Sequence, residues 1–110
     1  MACTVGTNLS GQGGIVSVSG LRVAGRITEV PINSLTWTAL PASPFANRNA
    51  ISIQNISAVE LKLQYDNTVA TYTGVVVPSG AERFYDITER ILIYAKSQAG
   101  SPVIIVEEIS

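Results

Sequence analysis

The clearest signal along this chain is a period-two alternation of apolar and polar positions. Val59, Leu61, Leu63 and Tyr65 alternate with Glu60, Lys62 and Gln64, the pattern of a strand with one buried and one wet face. Leu35, Trp37 and Ala39 alternate with Thr36 and Thr38, and Ile51 and Ile53 alternate with Ser52 and Gln54. No helix-period stretch of comparable length competes with these runs. Asn55 to Ala58 reads as a short turn, so 50–54 and 59–65 are expected to form a hairpin. Asp66-Asn67-Thr68 closes the second strand, because Asp and Asn side chains bond backbone two residues on. Val77-Pro78-Ser79-Gly80 predicts a β-turn between strands at 74–77 and 82–87, with Pro fixing φ at the second position. Strands at 90–96 and 102–108 follow, joined by Ser97 to Ser101. Many short strands between turn signals predict an all-β fold, an antiparallel β-sandwich or a jelly-roll-like small barrel.

Two segments break the half-wet pattern. Ile91-Leu92-Ile93-Tyr94 and Val103-Ile104-Ile105-Val106 are apolar at successive positions, hence on both faces of a strand. In a small sandwich only one face of each sheet meets the molecule's own core. The other face is then covered by the N-terminal segment or by a neighbouring subunit. Residues 1–20 carry Gly6, Gly11, Gly13, Gly14 and Gly20 among Ser and Thr. They read as an extended N-terminal arm that orders on a neighbour, or as an unstructured terminus, ahead of a single domain at 21–110. Within the arm, Val16 and Val18 alternate with Ser17 and Ser19. The expected contact residues are Val16, Val18, Leu92, Tyr94, Ile104 and Val106. Arg48, inside Asn47-Arg48-Asn49, joins them as a polar anchor to a turn or partner; the alternative is an exposed loop arginine.

Composition sharpens this picture. Of the 110 residues, 46% are hydrophobic and 14% charged, against about 25% charged in ordinary soluble domains. A small domain has much surface per volume, so such a deficit points to surface covered by partner chains. The net charge is −1 and the seven basic residues are scattered, which gives no footprint for nucleic acid or an anionic membrane. No apolar run is long enough to span a bilayer, and Met1 to Ser10 lack the charged and apolar regions of a secretory signal. Cys3 is the single cysteine, so no internal disulfide is expected, and synthesis in the cytoplasm fits best.

Chemistry is sparse. The absence of histidine removes the usual nucleophile-activating base and the commonest metal ligand. Glu107 and Glu108 are adjacent on a predicted strand and so point to opposite faces. Glu82 and Asp86 share a face but lie roughly 13 Å apart over four strand steps, beyond the ~5–9.5 Å of a glycosidase pair. Asp66 and Asn67 lack the dense ligand spacing of a calcium loop. No glycine cluster opens a helix as a nucleotide loop. Neither an enzyme nor any cofactor or metal is expected. Trp37, Tyr65, Tyr72, Tyr85 and Tyr94 offer rings that stack on sugars, although a lone Trp on an alternating strand is ordinarily core.

The run WTALPASPFANRNAISIQN at 37–55, with LKLQYDN at 61–67, VVVPSGAERFYDI at 75–87 and ILIYAKS at 91–97, resembles small structural proteins of tailed bacteriophages. The matching features are Leu40-Pro41, Asn47-Arg48, Ile51 to Asn55, Pro78 to Gly80, Ile93-Tyr94-Ala95 and Val106-Glu107. The resemblance covers about residues 35–108 and consists of strands and turns rather than catalytic residues. It implies a compact β-domain repeated on a virion, a head decoration, neck or tail-associated subunit. Its partners would be other copies of itself and the major capsid protein or neck and tail proteins. The competing expectation is a carbohydrate- or receptor-binding module on a phage tail.

Overall fold

The computed structural model describes residues 24–110. Eight strands follow in chain order: β1 Gly25–Pro31, β2 Thr38–Ala39, β3 Ala50–Gln54, β4 Leu61–Gln64, β5 Val75–Val77, β6 Glu82–Tyr85, β7 Tyr94–Ser97 and β8 Val103–Ile109. They form two four-stranded antiparallel sheets packed as a sandwich, the first in the order β1-β8-β3-β6 and the second β2-β7-β4-β5. β1 pairs with β8, β2 with β7, β3 with β6 and β4 with β5. This nested pairing is one long hairpin rolled up on itself, the strand order of a jelly roll. The expected all-β sandwich is the observed fold.

Nesting changes what the turns do. The expected hairpin of 50–54 with 59–65 does not form, because β3 lies in the first sheet and β4 in the second. The chain between them crosses over the core, and Asn55 holds the crossing. Its buried Nδ2 donates to the Val59 and Val77 carbonyls, both at 2.9 Å, while its Oδ1 accepts from Ser57 N and Oγ. The Asn55 backbone also bonds Ala81 O and Gly80 N, which ties this crossing to the one from β5 to β6. There the turn sits one residue later than expected. Ala81 N donates to Pro78 O at 3.0 Å, and Gly80 takes φ 81 at the third position, as a type II turn requires. The 97–102 connection likewise joins different sheets. Only β4 and β5 form a sequential hairpin, opened by the expected Asp66 turn, where Oδ1 accepts from Thr68 N and Oγ1.

The core is built by period two. Val30, Ile51, Ile53, Ile104 and Val106 face inward from the first sheet, and Leu61, Leu63, Val77 and Ala95 from the second. Ile32, Leu40 and Ile93 close it from the connections. Each such side chain contributes roughly 1.5–3 kcal/mol on burial, less for Ala. Two expected strands are shorter than the alternation suggested. Of 35–39 only Thr38–Ala39 pairs, and Leu35 is exposed on a turn capped by Asn33 Oδ1. Ile91 and Leu92 precede β7 in a loop, both exposed, so the pairing of the expected 90–96 strand starts at Tyr94.

The β4–β5 hairpin depends on Gly74. Its φ is 152, and a Cβ there would collide with the Leu63 carbonyl carbon and oxygen. Because backbone cannot yield as a flexible side chain does, Gly74→Ala is expected to cost roughly 1–3 kcal/mol. Gly100→Ala, where no atom lies within contact distance of the added methyl, separates φ strain (φ 70) from collision. Urea unfolding of both variants checks this, with the larger loss at Gly74.

Candidate functional site

The most concentrated charge in the molecule is internal. Glu108 lies on the inward face of β8, opposite Arg26 on β1, and is fully buried. Its Oε1 accepts from Arg26 Nη2 at 2.6 Å and Nε at 3.2 Å, and its Oε2 accepts from Arg48 Nη1 at 3.0 Å and Phe45 N at 2.9 Å. Arg48, 1% exposed, spends its other terminal nitrogen on the Thr88 and Ile91 carbonyls at 2.7 and 2.8 Å. Arg26 Nη2 also reaches Ser43 O, and its guanidinium stacks over the Phe45 ring at 5.3 Å. Every oxygen of this carboxylate is engaged, with no second acid beside it, so the cluster is a structural tie rather than an acid–base pair. Among the described residues no group of three His, Cys, Asp or Glu gathers to hold a metal.

The expected contact residues fall in four places. Val16 and Val18 lie outside the described residues, as does the expected arm at 1–20. Ile104 and Val106 are completely buried in the chain's own core. They have no surface to give a neighbour, because even positions of β8 face the second sheet. Arg48 is likewise an internal anchor to the 88–91 turn, neither an exposed loop arginine nor available to a partner. Leu92, 39% exposed, and Tyr94, half-buried, do reach the surface.

The surface that sequence reasoning missed is the outer face of the first sheet. Cross-strand partners share a face, so the register places Ile27, Glu29 and Pro31 of β1 there beside Glu107, Ile105 and Val103 of β8. Ala50, Ser52 and Gln54 of β3 continue the face to Phe84 and Glu82 of β6. Ile27 is 69% exposed and Phe84 55%, with Val103 exposed beside them. The strand residues facing this side include three glutamates and no Lys or Arg. Glu82 accepts a 2.6 Å hydrogen bond from Ser52 Oγ. Glu29 and Glu107 make no hydrogen bond or ion pair among the described residues. In β1 the apolar positions Ile27 and Val30 differ in parity, which hid this strand from a period-two reading.

The outer face of the second sheet carries lysines instead, Lys96 buried and Lys62 half-buried. Lys62 and Lys96 stand directly opposite each other on β4 and β7, with Gln64, Tyr94, Ala39 and Val76 around them. Like charges so placed repel, and aromatic rings relieve them. Lys96 Nζ lies 5.0 Å from the Trp37 ring centre, and Lys62 Nζ 4.6 Å from that of Tyr72 while donating to Tyr72 O at 3.2 Å. Such contacts contribute about 0.5–2 kcal/mol each. Trp37 Nε1 donates to Val69 O at 2.8 Å, which folds the 65–74 loop over this face. Trp37 is thus half-buried on an outer face, away from the core, with its N–H and one ring face already used. A small cavity lined by Leu63, Tyr65, Val75, Tyr85 and Ile93 has room for about one water, far less than a sugar ring. Comparison with protein-family models, curated proteins and solved structures finds no match.

Two predictions follow from these geometries. Glu108→Gln leaves Arg48 buried without a counter-charge and is expected to cost about 3–5 kcal/mol. Pairing Arg48→Met with Glu108→Leu should cost clearly less than the two single changes added together, as a double-mutant cycle by denaturant unfolding would show. Burial, then a hydrogen bond to and the charge of Glu60, push the Tyr72 phenol from 10.0 up to about 12. The folded state therefore holds this proton more tightly than the unfolded state. Its contribution to stability is complete below pH 10.0 and lost as pH rises towards about 12. Tyrosinate absorbance of the native protein should show a late step that Tyr72→Phe removes.

Proposed function

We propose that this chain is a structural subunit of a tailed-phage virion, packing against neighbouring capsid or neck and tail proteins. The observation that carries the reading is the outer face of the first sheet, where exposed Ile27, Phe84 and Val103 lie among three glutamates, with no basic residue among the described strand residues facing that side. Exposed apolar area of this kind marks a protein contact surface. Jelly rolls are the architecture of many viral capsid domains and also of lectins, so the fold is compatible with the reading without deciding it. The sequence resemblance over 35–108 supplies the viral setting. The carbohydrate- or receptor-binding alternative draws less support, since Trp37 is committed to Lys96 and Val69.

Quantitative mass spectrometry of purified particles, with immunogold labelling, tests this directly. The chain is expected in many copies per particle, at sites of regular symmetry. The double variant Ile27→Asp with Phe84→Asp alters only exposed positions and is expected to leave the melting temperature close to wild type while abolishing incorporation. Absence of the wild-type chain from particles overturns the proposal.

A further inference from the structure

Strand register fixes the pattern on the outer face of the first sheet. One row across its four strands reads Ile27, Glu107, Ser52 and Phe84, and the next reads Glu29, Ile105, Gln54 and Glu82. Ile27 and Ile105 therefore share one diagonal of the β1–β8 ladder, and Glu29 and Glu107 the other. Diagonal neighbours lie roughly 7–8 Å apart. One guanidinium fork can bridge two carboxylates so spaced while its aliphatic stem lies on the isoleucines. Neither Glu29 nor Glu107 has a hydrogen-bond or ion-pair partner among the described residues.

The chain itself carries a sequence of matching chemistry. Residues 1–23, which lie outside the described residues, contain no Asp or Glu, and Arg22 is their only Lys or Arg. Alternate residues of an extended chain share a side, which groups Val16, Val18 and Arg22 together and sets Ser17 and Ser19 opposite. Six such steps cover about 20 Å, close to the length of a seven-residue strand. The point of attachment matters as well. Ser110 N donates to Ala24 O at 2.9 Å, one step beyond the Gly25–Ile109 pair, so the chain enters β1 in line with the ladder.

We infer that residues 16–22 of one copy seat on the outer face of the first sheet of a neighbouring copy. Arg22 lies between Glu29 and Glu107 there, and Val16 and Val18 cover the exposed apolar positions. This rests on the proposed packing role and names its partner. A copy cannot place Arg22 on its own glutamates in this way. Only Val23 separates Arg22 from Ala24, which is held in the ladder, and one residue gives no room to turn back over the sheet. The contact is therefore heterologous, and such contacts repeat into a closed ring or an open chain of copies. A single extended segment covers far less than the ~800 Å² each partner gives to a standard interface. One contact is accordingly weak, and association accumulates through repetition and high local concentration.

The test uses the full chain. Light scattering should show wild-type mass rising with concentration and falling with added salt. Arg22→Glu alone, and Glu29→Lys with Glu107→Lys, should each stay monomeric, with thermal melting confirming that both are folded. Combining all three changes in one chain should restore association, because the charges are exchanged rather than lost. Location is read by paramagnetic broadening, with a spin label on Ser17→Cys in a Cys3→Ser background. Labelled chains of ordinary nitrogen are mixed with unlabelled chains carrying ¹⁵N. The amides of Ile27, Ile105 and Glu107 should broaden, and those of Lys62 and Lys96 on the far sheet should not. A wild type that is monomeric at every concentration overturns the inference, as does association that survives Arg22→Glu. Broadening that appears only when label and ¹⁵N share one molecule overturns it too, since the segment then lies on its own sheet. If the wild type is monomeric yet present in particles, this inference falls and the packing role stands. Arg22-dependent association of a chain absent from particles supports the contact and overturns the viral setting.

Discussion

Glu108 is the interaction on which the rest of the structure leans. One buried carboxylate near the end of β8 engages Arg26 on β1, the Phe45 amide in the long β2–β3 connection, and Arg48, which in turn holds the 88–91 turn. Three segments far apart in sequence meet on one acid. In the low-dielectric interior such a group is costly to bury alone and is tolerated only when its oxygens are fully engaged. The consequence is specificity of arrangement. The long connections of a jelly roll have few backbone ladders of their own, and this cluster gives two of them a fixed seat.

Asn55 performs the matching task at the crossings from β3 to β4 and from β5 to β6. With both amide hydrogens and its oxygen used inside the crossing segments, it holds two arches side by side where the chain changes sheets. Charged and amide groups thus pin the sheet changes, while the apolar residues of both sheets fill the space between. The two outer faces differ in chemistry: the first carries exposed apolar residues and glutamates, and the second a lysine–aromatic cluster beneath the 65–74 loop.

Much of the fold was legible in the chain. The alternation at 50–54 and 59–65 placed Ile51, Ile53, Leu61 and Leu63 in the core, where they are found, whereas Tyr65 at the end of the second run is exposed. The opposed directions of Glu107 and Glu108 followed from strand geometry and hold, with Glu108 inside and Glu107 on the outer face. The surface reading was less complete. Ile104 and Val106 looked like candidates for a partner because their strand is apolar on both faces. Which parity faced inward needed the register with β1 and β3, and the odd positions Val103 and Ile105 proved to be the outer ones. Trp37 was misplaced for a related reason: its alternation with threonines ends after two paired residues, so the ring is carried over Lys96 instead of into the core.

By itself the sequence determined the all-β class, most of the strands and the Asp66 turn, because these depend on residues a few positions apart. Period-two burial, side-chain-capped turns and glycine conformations are local physics. Only the tertiary structure decided which strands pair, and with that the roles of Arg48, Glu108 and the two outer faces. A turn such as 55–60 reverses the chain equally well within one sheet or between two. The choice is made by nested pairing of β1 with β8 and of β3 with β6, contacts between residues distant in sequence that leave no local mark.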